Sequence, residues 1–354
     1  MPYTRFRFIA YEVPTATRRL DVPGPTLAGL PPGKLCDPVP DIAVPKAPES
    51  TDWFIRLRRL AAVVNIAHAN VGSADDADTL KVFVAPEFYL RPATPQTDHT
   101  YPEEQFPPLW DVLERMFRTA RLKHWLIVPG SVLWHSKMLG ENQPIYYNSV
   151  LYVRGGVGGG EAGRIEKKLA SSMDGVPTRY AVGNVSEPLM KKAYTEAAFL
   201  RERLFEIDGN ATFGLEICLD HRLKVLKQTL ADRQADVADS WKRGGPALHV
   251  LTAGGMPLNP ESVAARPGGY VLRNDGYADP PASELRKVTG YRLPSTAPGQ
   301  AWEDKAAATL EADPGTAVEV PLRGEAVLVP PIAGPGTYDM PVQRLRIYPP
   351  LPLP

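Results

Sequence analysis

A cysteine lies at the junction of a predicted strand and a predicted helix, in the stretch ATFGLEICLDHR over residues 211–222. The residues before Cys218 form a mostly apolar, β-prone run. The leucines after it recur at helical spacing, which predicts a helix over about residues 221–235. A side chain at such a turn is held out of the sheet, and the free N–H groups of the following helix favour its thiolate form. The pattern therefore indicates a nucleophile, with a buried structural cysteine as the alternative.

The charge balance and cysteine content exclude several classes of partner. The chain has 354 residues with 40 basic and 40 acidic side chains, so its formal net charge is zero, and it contains only two cysteines, Cys36 and Cys218. Without a sustained basic face we expect no nucleic acid as a partner. Two distant cysteines argue against a disulfide framework and predict a reducing, cytoplasmic location. No apolar run approaches the roughly 18 residues of a membrane span, and no signal-peptide pattern opens the chain, so we expect no membrane association.

The order of the predicted elements indicates an α/β fold with a mixed sheet. Helical periodicity over residues 53–71 and 109–120 alternates with apolar strands over residues 5–13, 80–85 and 125–134. Strands 144–156 and 163–172 flank a glycine cluster and predict a hairpin, and residues 203–208 and 211–219 form another pair. Later strands are predicted in the stretches ALHVLTAGG, GGYVLRNDG and AVEVPLRG.

Proline is unusually frequent, with 38 residues in the chain. The prolines cluster in predicted insertions at residues 14–49 and 91–108, where the periodicity is lost. We expect one domain over residues 1–326, followed by an extended tail over residues 327–354 that packs along the surface or against another subunit. Cys36 falls in the first insertion, and no chemistry is assigned to it.

Three motifs occur in a fixed order along the chain. A glutamate, Glu87, closes an apolar strand in VFVAPEF; a lysine follows the strand YNSVLYV and a glycine cluster; and Cys218 ends the strand in GLEICLDHR. Together these motifs resemble the nitrilase, or carbon–nitrogen hydrolase, superfamily over roughly residues 5–280, and the Cys-x-Asp-x-Arg spacing strengthens the resemblance. The resemblance implies a four-layer α-β-β-α sandwich with mixed sheets, a Glu-Lys-Cys triad, no cofactor and a homo-oligomer.

The resemblance also implies a role for each residue of the triad. Cys218 would attack an amide or nitrile carbon while Glu87 takes the thiol proton and later activates water, provided that apolar neighbours raise the pKa of Glu87. The lysine ammonium and the backbone N–H of Leu219 would stabilise the oxyanion. The alternative for Glu87 is a helix cap or an exposed carboxylate.

The choice of lysine stays open between Lys167 and Lys168, because adjacent strand residues point to opposite faces. The basic pair favours Lys168 by its position in the family pattern, whereas strand parity favours Lys167, which we prefer. For a second carboxylate that supports the triad, Glu187 is the candidate and Asp174 the alternative.

His221 offers another way to activate the thiol, since Cys-His pairs are common. A histidine one helical turn after the cysteine projects differently, so we interpret His221 as a residue of the substrate pocket or of the helix terminus. The histidines lack the spacing of metal ligands, and we expect no metal.

The residues after Cys218 bear on the reaction. Leu219 and Asp220 resemble the amidase and carbamoylase branches of the superfamily, while His221 resembles nitrilases. We expect hydrolysis of an amide or N-carbamoyl group before that of a nitrile. The competing hypothesis is a catalytically silent scaffold of the same fold that binds a protein partner through its proline-rich loops and tail.

Overall fold

The computed structural model shows two β-sheets that stack face to face. The apolar core between them is built by both sheets, with Phe8 and Val82 from one and Phe213, Leu215 and Val250 from the other. All of these side chains are almost completely buried. The structure describes residues 3–15, 52–71, 77–92, 100–137, 144–157, 161–171, 174, 203–232, 244–278, 280–292, 306–312, 314–322 and 343–354.

Five of the observed strands, over residues 101–102, 282–292, 307–311, 344–347 and 351–352, were not predicted, and the strand predicted over residues 125–134 is divided into two. The other predicted apolar runs correspond to observed strands. Sixteen strands are described in all. They are β1 (Arg5–Glu12), β2 (Thr79–Val84), β3 (Tyr101–Pro102), β4 (Trp125–Val128), β5 (Ser131–Lys137), β6 (Pro144–Arg154), β7 (Ala162–Glu166), β8 (Leu204–Ile207), β9 (Ala211–Ile217), β10 (Leu248–Ala253), β11 (Tyr270–Asp275), β12 (Ala282–Arg292), β13 (Ala307–Glu311), β14 (Val318–Pro321), β15 (Arg344–Ile347) and β16 (Leu351–Pro352).

Both sheets are mixed. Sheet A has the order β14-β15-β1-β2-β4-β6-β5-β3, with β16 beside β1 and β7 beside β6. In it β1, β2 and β4 run parallel, whereas β4, β5 and β7 are each antiparallel to β6. Sheet B has the order β13-β12-β11-β10-β9-β8, and β9, β10 and β11 are parallel. The candidate site lies at the carboxyl ends of strands from both sheets.

Helices cover the outer face of each sheet. The helices are α1 (Asp52–Val71), α2 (Phe106–Phe117), α3 (Leu219–Arg222) and α4 (Val225–Asp232). The apolar stripes of α1 and α2 share one core cluster with Phe83 and Ile127 of sheet A. On sheet B, Leu226 of α4 packs with Leu204 and Ala264. The predicted four-layer α-β-β-α sandwich with mixed sheets is therefore confirmed.

The helix predicted over residues 221–235 is in fact two short helices, with α3 beginning directly after Cys218. Lys224 separates them with a φ of 60°. This left-handed residue ends α3 and redirects the chain, a break that the leucine spacing does not show. No helix in the described ranges combines the length and the apolar character needed to cross a membrane.

The carboxyl-terminal segment is not a surface tail, which corrects the prediction for its last residues. β15 lies between β14 and β1, and Leu345 in it is fully buried. Arg344 and Arg346 on the other face pair with the buried carboxylate of Glu12. The strand alternates apolar and basic residues and so belongs to the sheet. The boundary at residue 327 lies outside the described residues.

The structure describes little of the first proline-rich insertion and most of the second. Most of residues 14–49, Cys36 included, lies outside the described residues. The second insertion, predicted over residues 91–108, is shorter than expected, since β3 occupies residues 101–102 and α2 begins at Phe106 with prolines in its first turn. Proline in the first helical turn needs no hydrogen-bonded N–H, so the helix starts inside the apparent insertion.

Candidate active site

Glu87, Lys167 and Cys218 each follow the carboxyl end of a strand. Glu87 lies in the turn after β2, Lys167 directly follows β7, and Cys218 stands between β9 and α3. All three side chains are almost fully buried. The strand order of the two stacked sheets brings these ends together.

Lys167 joins two carboxylates. Its ammonium Nζ lies 3.0 Å from Oε1 of Glu87 and 2.6 Å from Oδ1 of Asp174. It also lies 3.3 Å from Oγ of Ser171 and 5.8 Å from the ring centroid of Phe88. A buried ammonium between two carboxylates remains charged, and the arrangement holds it in one position.

Asn148 links the two carboxylates from the neighbouring strand. Its Nδ2 group donates to Glu87 Oε1 at 2.9 Å and to Asp174 Oδ1 at 3.2 Å. The register explains this position, because Ser149 pairs with Glu166 and the N–H of Lys167 donates to the carbonyl of Asn148. Asn148 and Lys167 therefore stand opposite each other and present their side chains to the same face.

The pKa values of the three groups are shifted in ways that suit acid–base chemistry. Burial raises the pKa of Glu87 to about 7, and the attraction of Lys167 only partly offsets this effect. Burial lowers the pKa of Lys167, but Glu87 and Asp174 outweigh it and hold that pKa above its ordinary value. The pKa of the Cys218 thiol is raised by burial and then by the neighbouring Glu87 carboxylate. A protonated thiol thus faces a carboxylate that can accept its proton near neutral pH.

Cys218 occupies a strained backbone conformation, with φ at 45° and ψ at −107°. Residues other than glycine rarely adopt such angles, at a cost of about 1–3 kcal/mol, and they persist only where the surroundings impose them. Here the N–H of Cys218 donates to the carbonyl of Thr252 at 2.9 Å. Its sulfur lies 3.8 Å from the carbonyl oxygen of Gly254. The sharp turn projects the thiol toward Glu87.

Gly254 allows the loop after β10 to approach the acidic group. A Cβ atom at this position would lie 2.8 Å from Oε2 of Glu87 and 2.9 Å from the ring of Phe88. Oε2 is buried and has no hydrogen-bond partner among the described residues. This oxygen is consequently available to the thiol, to a leaving group or to water.

The structure separates the two candidate lysines. The side chain of Lys168 is exposed, and only its backbone takes part, with its N–H donating to Asp220 at 2.9 Å. Lys167 is the lysine that reaches Glu87. The preference for Lys167 over Lys168 agrees with this geometry.

The second carboxylate beside the lysine is Asp174, the alternative named from the sequence. It also accepts the N–H of Ser171 at 2.7 Å. Glu187 lies outside the described residues. Leu219 begins α3 directly after the cysteine, which places its N–H in the first turn beside Cys218.

Of the two positions predicted for His221, the helix terminus is the one observed, in the last turn of α3, whereas a substrate-binding role does not fit its contacts. It is fully buried, and its Nδ1 lies 2.8 Å from Oε2 of Glu216. Its Nε2 accepts the N–H of Asn259 at 3.1 Å. Both ring nitrogens are used inside the protein because α3 starts two residues earlier than predicted and turns the ring back against β9.

A second histidine, His249 of β10, completes a buried cluster around Glu216. Its Nε2 lies 3.0 Å from the same carboxylate oxygen, and its Nδ1 accepts the N–H of Ala264 at 3.2 Å. Burial raises the pKa of Glu216, but hydrogen bonds from His221 and His249 outweigh it and hold that pKa well below its ordinary value. Burial lowers the pKa of His249.

Three further polar residues at or near the site, Asn148, Glu216 and His249, had no predicted role. For Asn148 a signal exists, since it is the cross-strand neighbour of the lysine once the hairpin register is known. Glu216 and His249 are single ionisable residues inside fully buried strands.

Aromatic groups and one arginine surround the acidic pair. Phe88 packs with Leu133, Tyr146 and Tyr277. The guanidinium of Arg91 lies 5.0 Å from the ring centroid of Phe88, and its Nη2 donates to the carbonyl of Asp174 at 3.0 Å. These groups exclude water from the carboxylates and so favour the raised pKa of Glu87.

Comparison with known proteins gives similarity at the level of solved structures alone. No family model and no curated protein matches the chain. Nit3 of Saccharomyces cerevisiae, a member of branch 10 of the nitrilase superfamily, is 11% identical with a TM-score of 0.39, over 80% of this chain and 83% of that chain.

Two further structures are similar to a comparable extent. A glutamine-dependent NAD(+) synthetase from Cytophaga hutchinsonii is 12% identical with a TM-score of 0.37, over 77% of this chain and 36% of that chain. XC1258 from Xanthomonas campestris, a CN-hydrolase superfamily protein with an arsenic adduct in the active site, is 11% identical with a TM-score of 0.33, over 70% and 79%.

Proposed function

We propose that this protein is a cysteine-dependent hydrolase that cleaves a non-peptide carbon–nitrogen bond through Glu87, Lys167 and Cys218. The observation that carries the proposal is the buried contact of Lys167 with Glu87 at 3.0 Å, beside a thiol whose pKa the same carboxylate raises. Burying two carboxylates and an ammonium beside a thiol costs stability, which favours a functional explanation over a structural one.

Acylation begins with proton transfer from the Cys218 thiol to Glu87. The sulfur attacks the carbonyl carbon of an amide, an S–C bond forms, and the π electrons move to the oxygen. The resulting oxyanion is stabilised by the Lys167 ammonium and the N–H of Leu219. Glu87 then returns the proton to the departing nitrogen, the C–N bond breaks, and ammonia or an amine leaves a thioester on Cys218.

Deacylation uses the same groups in reverse order. Glu87 takes a proton from water, whose oxygen attacks the thioester carbon and forms a second oxyanion at the same position. Collapse of this intermediate breaks the S–C bond, and the sulfur recovers its proton from Glu87. The products are the free acid and the restored enzyme. Lys167 stays protonated throughout, because Glu87 and Asp174 hold its pKa above the ordinary value.

For the substrate we propose an amide or an N-carbamoyl group before a nitrile. Leu219 and Asp220 after the nucleophile support this choice through their resemblance to amidase and carbamoylase motifs. Assembly as a homo-oligomer and a cytoplasmic location also remain proposals, and light scattering of the purified protein tests the first.

The test is ammonia release from a panel of short aliphatic amides, N-carbamoyl amino acids and nitriles. The wild type is compared with Cys218→Ala and with Glu87→Gln at equal concentration. We expect release from at least one amide or N-carbamoyl compound by the wild type and none by either variant. Failure of the wild type on every compound would favour the scaffold hypothesis instead.

A further inference from the structure

Glu216, His221 and His249 form a closed buried network on the outer side of sheet B, beneath the first turn of α3. All three are fully buried. Glu216 Oε2 lies 2.8 Å from His221 Nδ1 and 3.0 Å from His249 Nε2. Glu216 precedes Cys218 at the end of β9, and His221 follows it in α3. The bond between them therefore closes a loop that contains the nucleophile.

The backbone partners determine where the protons of the network lie. His221 Nε2 accepts the N–H of Asn259, and His249 Nδ1 accepts the N–H of Ala264. Each ring must therefore carry its single proton on the nitrogen that faces Glu216, and both rings donate to the carboxylate. The other carboxylate oxygen accepts the N–H of Leu226 at 2.6 Å.

This proton arrangement opposes metal binding, although the three side chains lie close enough together to suggest it. A metal needs lone pairs on His221 Nδ1 and His249 Nε2, and the protons would then move to nitrogens that face N–H donors. The Glu216 carboxylate accepts three hydrogen bonds, from His221, His249 and the N–H of Leu226, so its hydrogen-bonding capacity is satisfied without a metal. A fully satisfied buried network rigidifies its surroundings.

We propose that Glu216, His221 and His249 act as positioning residues that hold the turn at Cys218 in its strained conformation and thereby aim the thiol. The proposal rests on the thiol chemistry assigned to Cys218 above. The network fixes both sides of the turn: Glu216 before Cys218 and His221 after it. His249 connects the turn to β10, whose Thr252 carbonyl accepts the N–H of Cys218.

The two histidines use different ring nitrogens, and this difference supplies an atom-specific test. The amide nitrogen of asparagine is as many bonds from Cα as His Nδ1, and that of glutamine as many as His Nε2. His221→Asn and His249→Gln therefore keep the donor to Glu216, whereas His221→Gln and His249→Asn displace it. His221→Leu and His249→Leu remove it.

The experiment measures kcat, KM and the melting temperature of each variant. It also measures the rate at which iodoacetamide alkylates Cys218, which intact-mass spectrometry monitors in a Cys36→Ser background. We expect the displaced-donor and leucine variants to lose about ten-fold or more in kcat with KM within about three-fold, because small displacements of a reacting atom are costly. His221→Asn and His249→Gln should retain kcat within about three-fold. The alkylation rates should show the same order: near the wild-type rate for His221→Asn and His249→Gln, and changed for His221→Gln, His249→Asn and the two leucine variants.

A lowered melting temperature with unchanged kcat and unchanged alkylation in the folded leucine variants would overturn the proposal and leave a structural role only. Equal losses for asparagine and glutamine at both positions would also overturn it. If the wild type hydrolyses none of the test compounds, the proposed function fails, but the alkylation rates still decide whether the network positions the thiol.

Discussion

The carboxylate of Asp220 accepts the backbone N–H of Lys168 at 2.9 Å. It also accepts the N–H of Leu169 at 2.9 Å and pairs with Arg203 at 2.7 Å. The turn that carries Cys218 is thereby fastened to the segment that carries Lys167. The sulfur and the ammonium, which the proposed mechanism brings to one carbonyl, are thus held in fixed relation by a residue that touches neither.

Asp220→Asn should weaken both stability and catalysis. The amide cannot accept all three donors, and Arg203 loses the carboxylate with which it is buried, so we expect a loss of about 3 kcal/mol in the free energy of unfolding. We also expect kcat to fall about ten-fold. Urea denaturation and steady-state kinetics measure the two effects. The control is Asp111→Asn on the exposed face of α2, where the ion pair with Arg115 contributes at most about 0.5 kcal/mol.

The two neighbouring lysines make a matched pair. Lys167→Met should lower kcat by about 10²-fold or more, since it removes the charge that stabilises the oxyanion. Lys168→Met should leave kcat within about two-fold of the wild type, because its side chain is exposed. The opposite order in steady-state kinetics would reverse the assignment of the lysine.

Glu87 should set the acid limb of the pH profile. The pKa of Glu87 is about 7, and the base must be ionised to accept the thiol proton, so kcat/KM should rise with pH and level off above 7. Activity is lost as the pH falls, because protonation removes the base. A limb centred near the ordinary glutamate pKa, at about 4 to 5, would show that another group is titrating.

Asn148→Leu should shift that limb upward. Asn148 donates to Glu87 at 2.9 Å, and a hydrogen bond to the charged form of a carboxylate lowers its pKa. Removing the donor should move the inflection of kcat/KM by about one pH unit toward higher pH, on the basis of about 1.5 kcal/mol for such a bond. An unchanged inflection would mean that Asn148 does not act on Glu87. Asn70→Leu, on the exposed part of α1, serves as the control.

The catalytic candidates could be predicted because each one ends a strand. Glu87 and Cys218 follow apolar runs whose ends are evident in the sequence, and the structure places both at one edge. Strand parity alone favoured Lys167 over Lys168 in the sequence, and the observed register of β6 and β7 places Lys167 opposite Asn148. Asp174 is brought to the site by the turn after β7, and nothing in its sequence neighbourhood distinguished it from Glu187.

The failed predictions share a physical cause. For His221 two positions were predicted, the substrate pocket and the helix terminus, and α3 places it at the terminus with its ring turned inward toward Glu216. The last residues were expected to form a tail because prolines dominate them, yet Leu345 and Ile347 alternate with arginines and pair with β1. In both cases long-range contacts override the local pattern.

The most direct test of the nucleophile is the intact mass of the protein after rapid mixing with an amide that it hydrolyses, followed by quenching in acid. We expect a mass increase equal to the acyl group on the wild type and none on Cys218→Ala. Peptide mapping should place the acyl group on Cys218. Ammonia release that persists in Cys218→Ala, or an adduct on any other residue, would contradict the assignment of Cys218 as the nucleophile.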